Sequence, residues 1–192
     1  MPDNHGLMRG FINLGMLYAE MEDSDEAIAH LKKALQQAQL SGEESEIGTI
    51  YLNMGAAYRI NGEPVKAEEC AWKAESVFQR FSDPLGLAWV KHNLGLAFLD
   101  QGKWQEAKLH LETALQVWRT TTNKYWEIMT LLGLVEFELG LNNLSEAAMQ
   151  LTEVEYLIIK YSQDVQDGRW RSMLEKYRRS LTEKSQENSV AD

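Results

Sequence analysis

A single cysteine, Cys70, stands in the 192 residues, so no internal disulfide can close and the fold must be held without a covalent staple. That thiol usage suits a reducing cytosol. Proline is also scarce, with three in the chain, and runs of Val, Ile and Thr are few, whereas Ala, Leu, Glu, Gln and Lys abound. This balance favours helix and offers little to a sheet, so an all-α fold without strands is expected. No stretch reaches the roughly 18 consecutive apolar residues of a membrane span, and residues 1–10 lack both the basic start and the apolar stretch of a signal peptide. A cytoplasmic location is the expectation.

Positive charge is short as well. The chain carries 19 Lys and Arg against 29 Asp and Glu, for a net charge of -10, and the deficit lies in residues 1–168, which hold 13 against 25. Residues 169–192 are mildly basic, with 6 against 4. An acidic body repels phosphate backbones and anionic headgroups, so neither nucleic acid nor a membrane surface is an expected partner. Signals of catalysis are missing too: there is no glycine-rich phosphate loop, nucleophile elbow or histidine-glutamate metal motif. Glu43-Glu44 and Glu68-Glu69 read as solvated charges, and neither an enzyme nor a bound cofactor is expected.

What the chain has instead is a repeat of period 40. Asn13-Leu14-Gly15, Asn53-Met54-Gly55 and Asn93-Leu94-Gly95 recur at that spacing, each followed by an aromatic at Tyr18, Tyr58 and Phe98. Ala27, Ala67, Ala107 and Ala147 form a second column, and Ala34, Ala74, Ala114 and Val154 a third. Glycine inside a helix costs about 1 kcal/mol against alanine, so its recurrence points to close helix packing that offsets the cost. The alanine columns supply the other half of that contact. Between them, residues 22–24, Asn61-Gly62-Glu63-Pro64 and Gln101-Gly102-Lys103 carry the polar and glycine-bearing signals that end one helix and start the next.

These columns resemble the tetratricopeptide repeat (TPR), whose signature is an aromatic, Leu-Gly, Tyr, then Ala, an apolar residue and Ala at fixed offsets. Phe11, Leu14, Gly15, Tyr18, Ala27, Leu31 and Ala34 match in the first repeat, and Tyr51, Met54, Gly55, Tyr58, Ala67 and Ala74 in the second. The third matches with Leu94, Gly95, Phe98, Ala107, Leu111 and Ala114, with Lys91 where the first aromatic belongs. The common repeat is about 34 residues with a late proline; the 40-residue period and missing proline here are similar to the arrays of kinesin light chain and of bacterial regulatory proteins. A fourth copy keeps Ala147, Leu151 and Val154 but has Val135 and Glu138 where glycine and tyrosine belong, so its first helix is expected to be rotated or slipped.

The resemblance implies a right-handed α-solenoid: hairpins over about residues 3–40, 43–81, 83–121 and 123–162, then a capping helix over about 165–184, forming a single domain over residues 1–184. Trp170, Leu174, Tyr177 and Leu181 recur at helical spacing on one face of that cap, which would close the apolar end of the stack. Residues 185–192 are short and polar and are expected to be disordered. No corresponding cap precedes the first repeat.

The first helices of such hairpins line a concave face. In the family, asparagine at the place of Asn13, Asn53 and Asn93 contacts the backbone of a bound peptide, for which a carboxamide that both donates and accepts is suited. Ile12, Met16, Leu52, Arg59, Trp89, His92, Leu96 and Leu99, with Thr49 and Ala56, would complete the lining. The family's grip on a terminal carboxylate is not expected, because Ile12, Trp89 and Asn93 stand where basic residues are wanted. The mostly apolar lining suits an amphipathic polypeptide segment, with Trp89 either anchoring a pocket or packing on the preceding helix. His30, Cys70 and His110 share another column, but helix spacing of roughly 8 to 10 Å is too wide for metal bonds of about 2.0 to 2.3 Å. The expected activity is that of a non-enzymatic binding scaffold or regulatory module; a homodimer, or a sensor arm of a larger transcriptional or signalling regulator, is the alternative.

Overall fold

The computed structural model describes residues 4–161 and 169–191, and among them nine α-helices and no strand. The helices are α1 (Asn4–Glu20), α2 (Ser24–Ser41), α3 (Glu44–Ile60), α4 (Pro64–Arg80), α5 (Pro84–Asp100), α6 (Trp104–Arg119), α7 (Lys124–Gly140), α8 (Leu144–Tyr161) and α9 (Arg169–Ala191). The four odd-numbered helices α1 to α7 begin and end 40 residues apart, and the chain is an all-α helical repeat solenoid of four hairpins followed by a further helix.

One turn closes every hairpin. Residues 22, 62, 102 and 142 all have left-handed backbone, with φ of 60° at Glu22, 70° at Gly62, 70° at Gly102 and 61° at Asn142. The next residue's N–H reaches back to the carbonyl five earlier: Asp23 to Tyr18 at 2.9 Å, Glu63 to Tyr58 at 2.9 Å, Lys103 to Phe98 at 2.9 Å, Asn143 to Glu138 at 2.8 Å. These are Schellman caps, which satisfy carbonyls the helix end leaves open. The second helix then starts on a cap or a pre-set φ. Asp23 accepts from the Glu26 N–H at 3.3 Å, and Pro64 opens α4 where its missing N–H has no partner to lose.

The chain divides into two compact units, residues 1–107 and 108–192, with the boundary inside α6. In the first unit the small-residue columns do meet across each hairpin. A Cβ on Gly15 would lie 2.6 Å from Leu31 Cγ and 3.2 Å from the Ala27 carbonyl oxygen, and one on Gly55 would lie 3.3 Å from the Ala67 carbonyl oxygen. Ala27, Ala34 and Ala74 are fully buried and Ala67 nearly so. Met8, Ile12, Ala27, Ile28, Leu31, Ala34 and Ala38 of the first hairpin form one cluster with Ile50, Met54, Ala57 and Cys70 of the second. Apolar burial of this kind, about 25 cal/mol per Å², is the main stabilising term in each seam.

In the second unit, α7 buries most of its length. It keeps the 40-residue register, and Val135 and Glu138 are buried at 1% and 4% exposure in the places of glycine and tyrosine. The Glu138 carboxylate accepts from Asn143 Nδ2 at 2.8 Å while its carbonyl closes the turn. A buried carboxylate held this way avoids the full cost of an unpartnered charge. α9 packs on α8 and α7, burying Trp170 and Tyr177 and donating from Arg178 Nε to Glu155 at 2.8 Å. The expected start of this helix near residue 165 and the final residue 192 lie outside the described residues. Residues 185–191, expected to be disordered, continue α9: no glycine or proline interrupts them, and Asn188 Oδ1 accepts from Asn142 Nδ2 at 3.1 Å.

Candidate functional site

All eleven residues assigned to a concave face lie in the first unit, on α1, α3 and α5. The structure separates them into two groups. Asn13 and Met16 are exposed, and Asn53, Arg59, Trp89, Asn93 and Leu96 are half-buried. Ile12, Leu52, His92 and Leu99 are buried, at 8%, 1%, 3% and 6% exposure, and belong to the core rather than to an open surface. The reason is helical geometry. Ile12 sits one turn after Met8, and both join the cluster formed with Ala27, Ile28 and Leu31 of α2. Helices packed between neighbours on two sides keep only a narrow strip open, and these four positions fall beside it.

The three asparagines are not equivalent. Asn93 Nδ2 donates to the Trp89 carbonyl at 3.0 Å, one turn back on its own helix. Asn53 Nδ2 is buried and has no hydrogen-bond partner among the described residues. A buried amide donor without an acceptor costs about 1 to 3 kcal/mol, so Asn53 carries an unmet donor in the middle of the strip. Asn13 is solvated.

Arg59 is held by a residue that sequence reasoning passed over. Its Nε donates to Asp100 Oδ2 at 2.6 Å, linking the last turns of α3 and α5. Asp100 follows Arg59 by 41 residues, one more than the period, and that spacing was the available signal for adjacency on neighbouring first helices. The pair edges a cleft of about 400 Å³ bounded by Ile60, Gly62 and Pro64. Beside it, burial pushes the His92 ring down to about 3, with the Arg59 charge adding to the same direction, so the imidazole is neutral in the folded chain at ordinary pH.

The second column behaves as a packing feature. His30 stacks on Tyr18 at 5.2 Å between ring centroids and lies 5.9 Å from Phe11. Burial pushes the Cys70 thiol up to about 11. Among the described residues no group of three or more His, Cys, Asp and Glu is placed to hold a metal ion, and no helix is long and apolar enough to cross a membrane.

Hairpins stacked in a 40-residue register, closed by one recurrent turn and presenting a half-open strip of first-helix residues, define a helical-repeat interaction scaffold. The chain belongs to the tetratricopeptide repeat family, which residues 6–80 and 87–123 match. Over 88 residues it is 32% identical to the Regulatory protein AfsR of Streptomyces coelicolor, a match that spans 46% of this chain and 9% of that protein. The apo form of RapI superposes with a TM-score of 0.68 at 15% identity, covering 91% of this chain and 47% of that one. Kinesin light chain TPR-like repeats of Podosopora anserina superpose with a TM-score of 0.62 at 18% identity, covering 95% of this chain and 98% of theirs. The chain therefore spans less than half the length of both AfsR and RapI.

Proposed function

We propose that the strip formed by Asn13, Met16, Asn53, Arg59, Trp89, Asn93 and Leu96 binds an amphipathic polypeptide segment, and that the chain acts as a non-enzymatic regulatory scaffold. The observation that carries this reading is the unpartnered Asn53 Nδ2. A peptide carbonyl is the acceptor such a donor lacks, reached once the Asn53 carboxamide turns from its buried position toward the strip, and an apolar side chain of the ligand would lie against Met16, Trp89 and Leu96. The acidic balance of the chain favours a segment that is not itself acidic. The likeness to a regulatory protein over 88 residues supports a regulatory setting.

Asn93, already bonded to its own helix, and Ile12, Leu52, His92 and Leu99, buried behind the strip, have a supporting part in this reading. The test is a displayed library of short amphipathic peptides panned on the wild-type chain, with the selected peptides titrated against Asn53→Ala and Asn93→Ala. Loss of one buried hydrogen bond of about 1.4 kcal/mol weakens binding about tenfold for Asn53→Ala. Peptides that bind the wild type and Asn53→Ala equally well would falsify the assignment.

A further inference from the structure

A cleft of about 370 Å³ lies within the second unit, between α6 and α8 and over α7. Leu115, Leu131 and Leu134 form its floor and are buried, whereas Met149 at its rim is 61% exposed. Among the described residues that line it, the carboxylates of Glu112, Glu146 and Glu153 face one guanidinium, that of Arg119.

These charges are arranged in rungs. Arg119 Nη2 donates to Glu153 Oε1 at 2.7 Å, across 34 residues of chain. Three and then four residues back along each helix, on the same face, lie Gln116 and Glu112 of α6 and Gln150 and Glu146 of α8, all of them lining the cleft. Because α6 and α8 are the second helices of consecutive hairpins and run in the same direction, equal steps on both keep the pairs opposite one another. The first rung thus joins a guanidinium to a carboxylate, the second faces one carboxamide with another, and the third sets Glu112 against Glu146, carboxylate to carboxylate.

The third rung lacks the cation that completes the first. Glu146 lies in the first turn of α8, where the helix dipole favours a carboxylate, but Glu112 stands in the middle of α6, with Lys108 Nζ 3.8 Å away along its own exposed edge. The middle rung is incomplete as well. Gln150 Oε1 is buried without a hydrogen-bond partner among the described residues, and its Nε2 makes a long 3.4 Å contact with Glu146. A hydrogen-bond donor is wanted where a positive charge is wanted, above an apolar floor.

From these observations we infer that the cleft receives the arginine side chain of a partner polypeptide, with its guanidinium between Glu112 and Glu146 and its methylenes along Leu115, Leu131 and Leu134. A guanidinium presents five N–H donors in one plane and serves two carboxylates and a carboxamide oxygen together, as a compact ammonium with three donors does not. Gln150 Oε1 is reached once its carboxamide turns toward the cleft. That turn gives up the long contact with Glu146, whose carboxylate the guanidinium then takes. The open rim at Met149 and at Glu112, whose side chain is 51% exposed, leaves the backbone that carries the arginine outside the cleft. Every residue of this site belongs to the second unit, so it and peptide binding at Asn53 stand or fall separately.

Titration of the full chain with a Gly-Arg-Gly tripeptide blocked at both ends tests the site, followed through the Met149 methyl signal in a carbon–proton correlation spectrum and assigned with Met149→Leu. A saturable shift is expected. The same peptide with citrulline in place of arginine keeps the shape without the charge and should bind at least about tenfold more weakly, as should the arginine peptide to a chain carrying Glu112→Gln with Glu146→Gln. Both glutamates lie outside the core, and an unchanged helical circular dichroism spectrum verifies folding. Asn53→Ala leaves this affinity unchanged. No saturable shift at Met149, a citrulline or lysine peptide that binds as tightly as the arginine peptide, or full affinity in the double glutamine variant overturns the inference. Butylguanidine, the bare arm, is expected to bind no more tightly than the tripeptide; binding about tenfold tighter would assign the cleft to a free guanidine and overturn the polypeptide source.

Discussion

The Phe78 ring occupies the space that a side chain on Gly86 would need. A Cβ at Gly86 would lie 2.2 Å from Phe78 Cδ1, and one at Gly48 2.8 Å from Phe78 Cζ. One buried ring of α4 thereby spaces α3 and α5, and both helices give up a side chain to admit it. Gly86→Ala is expected to destabilise the chain by about 1 to 3 kcal/mol through overpacking, despite alanine's better helix propensity. Urea unfolding midpoints check this, and a Phe78→Leu background should remove most of the penalty. Gly55→Ala, whose nearest contact is 3.3 Å, should cost less than Gly86→Ala.

The four hairpin turns make an internal experiment. Gly62 and Gly102 hold their left-handed backbone without strain, whereas Glu22 adopts φ 60° with a side chain that disfavours it. Glu22→Gly should therefore stabilise the chain by about 1 kcal/mol, and Gly62→Ala should destabilise it by a similar amount. Thermal unfolding of the two variants beside the wild type gives the sign directly; equal midpoints would show that the turn tolerates either residue.

Columns that act through packing between neighbours in the repeat were open to reading in advance. Gly15 against Leu31 and Ala27, and Gly55 against Ala67, meet as their periodicity requires, because small residues recur in a stack only where backbones approach. What periodicity cannot report is the depth of a residue on a helix that is covered on two sides. Ile12, Leu52, His92 and Leu99 lie on the same first helices as the exposed Met16 or its repeat equivalents Ala56 and Leu96, yet sit in the core. Polar substitutions inside the core were hidden for a different reason: Glu138 stands in the place of an aromatic, and the partner that satisfies it, Asn143, comes from the turn and not from the repeat signature. The Phe78 contact with Gly48 and Gly86 was also illegible, because those glycines fall outside the shared column and their reason is one ring, not a repeat.

Acid sensitivity should trace to His92. Its ring titrates near 3 in the folded chain, against an ordinary value of 6.5, because burial disfavours the charged form. Above about pH 6.5 both folded and unfolded chains carry the neutral ring and His92 adds no pH dependence. Below it the unfolded chain takes up a proton that the folded chain refuses, so stability falls as the pH drops toward 3, by at most about 1.4 kcal/mol per pH unit. Urea midpoints at about pH 7.5 and about pH 5 should diverge in the wild type and converge in His92→Leu. Unchanged divergence in that variant would assign the acid sensitivity to other groups.

Cys70 offers a readout of the seam in which it is packed. Burial raises its thiol from 9.0 to about 11 and leaves the residue 4% exposed between Ala67, Ala71 and Ala74 on α4. The thiolate is the reactive form, so at mildly alkaline pH the folded chain presents about a hundredfold less of it than an unperturbed thiol would, before access is considered. A chromogenic disulfide reagent is expected to modify Cys70 slowly in the native chain and at the ordinary rate in denaturant. Native reactivity should then follow opening of the seam and rise in Gly55→Ala, which presses a methyl group toward Cys70 Cβ at 3.5 Å and the Ala67 carbonyl oxygen at 3.3 Å. A native rate equal to the denatured one would mean that α3 and α4 part far more readily than their packing implies.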